Sequence, residues 1–543
     1  MSKQRKVQRR SIRAQIDNAE KGVLLSQFQV YENYLKGKHV EKDEELAHKY
    51  HQLLESTLID KKLRLDSLSL FNFRRFKELT IKFDEKLTVI IGDNGAGKTS
   101  FADAMANVFS WFNNNLEKEN VSGNFIKQTD VNVKATDFSE VTCRFKLDQN
   151  NRFETSLALP VPGYTGDKSN DVNVIKQFGA IYRSSAKNES ITFPLLAYYS
   201  VERSDFELKT SVTEKASGDD KDNRYSALKD ALKGTGKLDD FSQLYIELVN
   251  LAEGEESKEI KELKGDINAL QRTIDDVYQG KTPQENDPFT AMLNSKKELL
   301  ADLVKSVASA KYQKHLSFVN EAIEKLVPDV KNLEVDRSSG KPRIFVENFG
   351  NKVNIAQLSQ GQKMLVALTG DLARRLVKLN PNSDKPLHAH GIVVIDEIEL
   401  HLHPKWQQEI IIGLQTTFPN LQFIVTTHSP QVLSTVDHKC IRQISLDKNG
   451  QPIIDTPTFQ TKGVTSASIL ARIMGTNSVP EKLEEAIWLT DFSRYLKENN
   501  EELRELVFEK IKMHFGDNHP VVVECESQVR IHNMKARLAK KEQ

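Results

Sequence analysis

Residues 92–99 read Gly92-Asp93-Asn94-Gly95-Ala96-Gly97-Lys98-Thr99, between an apolar run, LTVII, and a segment that reads as helix from about Thr99. The GxxxxGK[ST] spacing, with strand before and helix after, is that of a phosphate cradle. Its glycines let backbone N–H groups turn inward at a helix N-terminus, where they hold anionic oxygens. Lys98 supplies charge for the β- and γ-phosphates, and the Thr99 hydroxyl supplies a ligand for Mg²⁺. A second apolar run, Gly391-Ile392-Val393-Val394-Ile395, ends in Asp396 and Glu397. So apolar a strand belongs at the centre of a sheet, and acids at its C-terminal end stand where open α/β sheets bind ligand. Asp396 then joins the Mg²⁺ shell, and Glu397 orients or deprotonates an attacking water. These residue types in this pattern point to hydrolysis of a nucleoside triphosphate.

Leu358-Ser359-Gln360-Gly361-Gln362-Lys363 opens a further helix, and Ser359 lies 33 residues before Ile392. The hexapeptide resembles the signature of ABC ATPases, LSGGQ, with Gln360 in place of the first glycine. Phe423-Ile424-Val425-Thr426-Thr427-His428-Ser429-Pro430 is another buried strand ending in a polar turn. It resembles the switch-histidine segment of the same superfamily. The resemblance implies ATP and Mg²⁺ as cofactors and contacts from Asn94, Gly95, Ala96, Gly97, Lys98, Thr99 and Ser100. It also implies γ-phosphate sensing by His428, and contacts from Ser359, Gly361 and Gln362 to nucleotide held by a second subunit. Asn72-Phe73-Arg74-Arg75-Phe76 resembles the first-hairpin motif of SMC- and RecF-like ATPases, where the residue matching Arg74 approaches nucleotide. Gln128, 30 residues past Lys98 in FIKQTD, is assigned to Mg²⁺ as a Q-loop residue, the alternative being an ordinary exposed glutamine. Glu399-Leu400-His401-Leu402-His403-Pro404 resembles a D-loop, and its two histidines lack a third zinc ligand in view.

The elements that must position these residues follow from period and punctuation. LRLDSLSLFNF, LTIKF, LTVII, VTCRFKL and FPLLAYYS read as strands, as do segments within 331–356. Residues 1–62 read as polar helix, with Leu24, Leu25, Phe28, Tyr31 and Leu35 at helical spacing. The first thirteen residues carry six Lys/Arg and no acid, which suits either a solvated tail or a nucleic-acid or partner contact. From Phe241 to Lys325, Ile260, Leu263, Ile267, Leu270, Ile274 and Val277, then Leu300, Leu303, Val307 and Ala310, recur at spacings of three and four. The interruption at 280–288 makes this a coiled-coil hairpin, each arm about 45 Å for roughly 30 residues. The expected architecture is α/β: an ABC-type ATPase head with a mixed sheet and helices, a short helical hairpin insertion, and helical N- and C-terminal extensions. The expected units are 1–62, 63–240 with the P-loop, 241–327 as hairpin, 328–445 with signature and acid-tipped strand, and 446–543 as a helical partner-binding region.

Lys+Arg and Asp+Glu are equal at 76 each in 543 residues, so no net basic field advertises a general nucleic-acid coat. No run approaches the ~20 apolar residues that span a bilayer, and no signal peptide opens the chain, so a cytoplasmic protein is expected. Cys143, Cys440 and Cys525 are scattered, without metal or disulfide spacing.

Taken together, NFRRF, GDNGAGKT, LSQGQK, VVIDEIELHLHP and VTTHSP resemble the OLD-like branch of ABC ATPases over roughly residues 63–440. Within it, PLLAYYSVER, the short hairpin and the C-terminal pattern resemble the PtuA family of Septu antiphage systems, some of which accompany retrons. OLD nucleases carry a Toprim domain with an Asp-x-Asp pair, which is not found after His428 here, so no intrinsic nuclease site is expected. The resemblance implies a homodimer or higher oligomer through ATP-sandwiched heads and a separate HNH nuclease (PtuB-like) as partner. In retron forms it implies a reverse transcriptase with its RNA-linked DNA (msDNA). The alternative is a RecF/SMC-like DNA-repair ATPase that binds DNA directly. A transporter subunit fits poorly, because 266 residues separate Gly92 from Leu358.

Overall fold

The computed structural model describes residues 12–204, 223–234, 238–254, 263, 265–267, 269–274, 288–306, 309–338, 340–476, 480 and 482–539. The chain divides into two compact units, Met1–Gly463 and Val464–Gln543.

After a helical stretch over 12–20, the first unit continues with helices α1 (Leu24–Lys36) and α2 (Glu44–Leu58), which pack on each other; Asp43 caps α2 by accepting from Leu46 N at 2.9 Å. They belong to the ATPase unit itself: Asn151 accepts from Leu24 N at 2.8 Å and donates to Gly22 O at 3.1 Å. The chain continues through β1 (Arg64–Phe73), β2 (Phe76–Lys82), β3 (Leu87–Gly92), α3 (Lys98–Glu117), β4 (Phe138–Lys146), β5 (Arg152–Pro160), α4 (Asn173–Ser184) and β6 (Leu195–Tyr199). Helices α5 (Leu238–Gly254), α6 (Pro288–Ser306) and α7 (Ser309–Leu326) follow, then β7 (Val330–Asp336), β8 (Arg343–Asn348) and β9 (Asn351–Asn354). The last part holds α8 (Gln360–Leu379), β10 (Gly391–Ile395), α9 (Pro404–Thr417), β11 (Leu421–Thr426), β12 (Ile441–Leu446) and β13 (Pro452–Asp455).

Apolar content sorts the strands. β6, β10 and β11 are buried at every position, as strands covered on both faces must be, and they sit inside a six-stranded sheet of order β13-β12-β3-β11-β10-β6. All its pairings are parallel except β12 with β13. β1, β2, β4 and β5 alternate buried and exposed positions to varying degrees and form a separate antiparallel sheet, β2-β1-β4-β5. A three-stranded sheet, β7-β8-β9, leads into the signature helix α8. No helix among the described residues is long and apolar enough to cross a membrane.

Two expected boundaries move. The one at 445/446 falls inside the β12–β13 hairpin, because Ile453 and Ile454 pair with Ser445 and Ile444 across the turn containing Gly450 (φ +73°). The first stretch of the expected hairpin is α5, which belongs to the head: Phe241 and Tyr245 are each 1% exposed, and α5 packs on α7 and α8. The described residues of 263–274 are helical, and Lys296 pairs with Asp266 at 2.6 Å across the arms. Ile260, Val277, residues 280–287 of the expected turn and the side chains of Leu303, Val307 and Ala310 lie outside the described residues, as does most of the basic N-terminal run.

The second unit contains α10 (Ser466–Arg472) and the helices α11 (Glu484–Lys497), α12 (Glu501–Phe515) and α13 (Pro520–Ala539), the last three around a small core of Phe492, Val507, Phe508, Ile511, Val522 and Cys525. Phe492 (1% exposed) is thus consumed by this core, and Leu496 is buried as well (7%). Ile487 stays exposed, with Leu483, Leu503, Leu506 and Met513.

Candidate functional site

The parallel sheet brings the expected residues to one edge. β11 lies between the P-loop strand β3 and the acid-tipped strand β10, with Thr426 opposite Ile90 and Val425 opposite Ile395. Residues 426–428 therefore emerge between the phosphate cradle and the acids.

The cradle depends on close packing. Gly97 has φ +98°, and a Cβ there would fall 2.4 Å from the Phe76 ring. Ala96 N donates to Asp93 O at 3.0 Å, closing the turn beneath the loop. Lys98 is 6% exposed, and its Nζ donates to Gly92 O (2.9 Å) and Asp93 O (3.0 Å). Burial pulls its ammonium below the usual lysine range, against the opposing fields of Asp396, Glu397 and Glu399.

Asp396 is 1% exposed and held on both oxygens: Thr99 Oγ1 donates to Oδ2 at 2.7 Å, and the Thr426 hydroxyl donates to Oδ1. Glu397 N in turn donates to Thr426 Oγ1 at 2.8 Å. A hydroxyl and a carboxylate, hard oxygens already adjacent at the base of the cradle, fit the ligand preference of Mg²⁺. Together these groups line a cavity of about 320 Å³. One wall is Asn94, Gly95, Gly97, Lys98, Thr99 and Ser100. Arg74 and Arg75 close a second side, and Asp396, Glu397 and His428 form the sheet edge.

Three residues not singled out from the sequence hold this edge in place. Arg203, 1% exposed in the turn after β6, donates from Nη1 to Ser200 O (2.7 Å) and Asp396 O (2.5 Å), and from Nη2 to Glu397 O (2.6 Å). Glu397 has φ +49°, a left-handed conformation costly for a non-glycine residue, and its carbonyl is one that Arg203 fastens. Burial brings the Arg203 guanidinium down to about 10. Glu399 accepts from Thr427 Oγ1 (2.8 Å) and His428 N (2.5 Å), so its carboxylate fixes the turn that carries His428. Arg75 donates to Gly95 O of the cradle, while Arg74 (φ +49°) is spent on Asp103 (2.8 Å) and Asp130 (3.0 Å) at the cavity edge. The signal for Arg203 was an arginine four residues past a buried strand, in PLLAYYSVER.

Gln128 opens the short turn that carries Asp130, but its side chain is exposed and is not part of the cavity wall. Ser359, Gly361 and Gln362 also stand outside the cavity of their own chain. Ser359 is the exposed N-cap of α8 and shares a capping box with Gln362. Gln362 is 2% exposed, and its amide donates to Asn348 Oδ1 (2.9 Å) and Pro328 O (3.3 Å), which anchors the signature to β8. Gly361 packs so closely on the D-loop that a Cβ would meet His401 O at 2.8 Å.

A family model described as "AAA ATPase domain" matches residues 64–433. The chain is 32% identical over 480 residues to the Retron Vc95 probable ATPase of Vibrio cholerae serotype O1 biovar El Tor, covering 86% of this chain and 90% of that one. It is 30% identical over 536 residues to the Retron Ec83 probable ATPase of Escherichia coli, covering 95% of each. Over 112 residues it is 36% identical to the Septu protein PtuA of Bacillus mycoides, covering 21% of this chain and 15% of that one. Matched over most of its length by that family's model, and nearly end to end by relatives named as retron ATPases, the chain belongs to the AAA ATPase domain family and is an ATPase.

Proposed function

We propose that this ATPase serves an antiphage defence complex, in which its nucleotide cycle controls a separate HNH nuclease of the PtuB kind. The near full-length similarity to retron ATPases supports this reading over a DNA-repair ATPase. In a retron setting the complex would include a reverse transcriptase and its RNA-linked DNA. Thr99 and Asp396 would hold Mg²⁺, with Gln128 reaching it on closure, and the bound ion would neutralise charge developing on the phosphates. Glu397 would take the proton of the attacking water, and His428, positioned through Glu399, would contact the γ-phosphate.

The observation that carries the reading is the split site. P-loop, acids and His428 share one cavity, while Ser359 lies exposed at a helix N-terminus outside it. A second copy, related by a twofold axis, would bring each Ser359 onto the other's γ-phosphate. Ser359→Arg is then expected to abolish ATP-driven association while leaving ATP affinity of the monomer within about twofold, since the P-loop is untouched. Sedimentation with and without ATP reads the first, and equilibrium binding the second. Loss of monomer affinity would place the signature in its own subunit's pocket.

Partners are tested by purifying the tagged chain with its native neighbours and identifying bound protein and nucleic acid. Removing Val464–Gln543 is expected to eliminate nuclease co-purification and antiphage activity while ATP binding persists, because that unit has its own core. Full retention of the nuclease would move its dock to the first unit. The purified chain alone is expected to leave DNA and RNA intact with Mg²⁺ or Mn²⁺.

A further inference from the structure

A second cavity, about 80 Å³, lies where α5, α7 and the C-terminal half of the signature helix α8 meet. Leu244, Leu248 and Leu251 of α5 and Val377 of α8 form an apolar wall. Facing it are Arg224, Lys311 and Arg374, with Lys378 at the edge; the described carboxylates are Glu247 in the lining and Asp371 behind Arg374, the latter shared with Arg375. The fold fixes two of these cations. Arg224 stacks on the Phe193 ring, 3.8 Å from its centroid, and donates to Leu379 O (2.8 Å) and Ala186 O (3.1 Å), neutral acceptors, so no carboxylate pairs with it among the described residues. Arg374 donates from Nη2 to Asp371 at 2.9 Å, while its buried Nε has no partner among the described residues.

Asp371 ties this wall to the nucleotide site. It also accepts from Arg375 Nε (2.7 Å) and from Tyr199 OH (2.8 Å), and Tyr199 O accepts from Asp396 N at 2.8 Å. The path Arg374–Asp371–Tyr199–Asp396 is a continuous run of buried hydrogen bonds, charge-assisted at Asp371 and backbone at Asp396.

We propose that this cavity is a regulatory site for a small organic phosphate monoester, whose occupancy is felt at Asp396 through Arg374, Asp371 and Tyr199. A dianion suits the excess of cations, guanidinium groups suit phosphate oxygens, and the leucine wall takes the organic body. At about a quarter of the nucleotide cavity's volume (80 against 320 Å³), its enclosed space takes little more than the phosphate group, with the organic body lying along the leucines toward solvent, and it is too small for a second nucleotide. A ligand that engages Arg374 loosens its hold on Asp371 and so moves the Tyr199 contact. Binding is independent of the proposed nuclease partnership, and the coupling rests only on the ATPase activity.

The test uses the full chain with its nucleotide cavity first saturated by Mg²⁺ and a non-hydrolysable ATP analogue, titrated calorimetrically with phenyl phosphate and, separately, inorganic phosphate. One phenyl phosphate per chain is expected, held roughly tenfold tighter than inorganic phosphate because only the ester meets the leucines. Lys311→Glu, a surface change outside the ATP machinery, is expected to weaken it by about tenfold or more. In turnover assays, saturating phenyl phosphate is expected to change the hydrolysis rate by about fivefold, a response absent from Lys311→Glu. Absence of saturable binding, or equal affinity in wild type and Lys311→Glu, overturns the site. Equal affinity for the two phosphates overturns the apolar contact, and binding without a change in hydrolysis overturns the coupling. Because binding is read by calorimetry, its failure is distinct from any failure of the proposed function.

Discussion

Glu397→Gln is expected to bind ATP as the wild type does and to hydrolyse it ~10²–10⁴-fold more slowly. The amide is nearly the same size as the carboxylate, so the φ +49° turn and its ties to Arg203 and Thr426 persist. What disappears is the one carboxylate at the end of β10 that, among the described residues, is free of a structural duty. Asp396 is engaged on both oxygens by Thr99 and Thr426, and Glu399 by Thr427 and His428. Equilibrium ATP binding together with single-turnover hydrolysis checks the split. Lys98→Ala is the contrast, since it removes charge from the cradle and is expected to weaken ATP binding itself. A Glu397→Gln protein that turned over at the wild-type rate would remove Glu397 from the role of base.

Arg203→Met is expected to cost roughly 3 kcal/mol of stability, the scale for stranding buried hydrogen-bonding groups, and to lower kcat by about a hundredfold. The three carbonyls it serves belong to Ser200, Asp396 and Glu397. Two of them set the backbone of Asp396 and Glu397, the proposed metal ligand and base, so a loosened turn would displace both groups without touching the P-loop. The signature of a positioning residue is therefore a fall in kcat with KM for ATP nearly unchanged, and partial rescue by Arg203→Lys, which can reach some but not all of these carbonyls. Thermal unfolding measures the stability loss separately. If stability fell while kcat per folded molecule stayed at the wild-type value, Arg203 would be only a core tie.

The residues of the chemistry were legible in the amino-acid order because their requirements are local. A cradle needs glycines at fixed spacing and a helix beginning at Lys98, and a central parallel strand needs an unbroken apolar run, which GIVVI and FIVTT supply. The strands on either side of Arg74 and the helix capped by Ser359 follow from period and capping in the same way. The C-terminal unit shows where such reading stops. Ile487, Leu489, Phe492 and Leu496 lie on one helix whether they face a core or a partner, and only the packing of α12 and α13 decided that Phe492 turns inward.

Tertiary structure alone decided what holds the chemistry in place. Arg203 meets Asp396 and Glu397 across 193 and 194 residues, and Tyr199 meets Asp371 across 172. No periodicity encodes such partners; they arise from β6 lying beside β10 in a parallel sheet whose order is unrelated to chain order. The same topology sets β11 between β3 and β10 and thereby puts His428 opposite the cradle. The sequence by itself determined that this chain is an ATPase and singled out the residues proposed for the work, because phosphate, metal and water each demand particular side chains at short, repeatable spacings. Which buried arginine steadies the base, which carboxylate steers the switch, and where the sheet ends were decided by the fold, because each depends on hydrogen bonds between segments that meet only when the sheet closes.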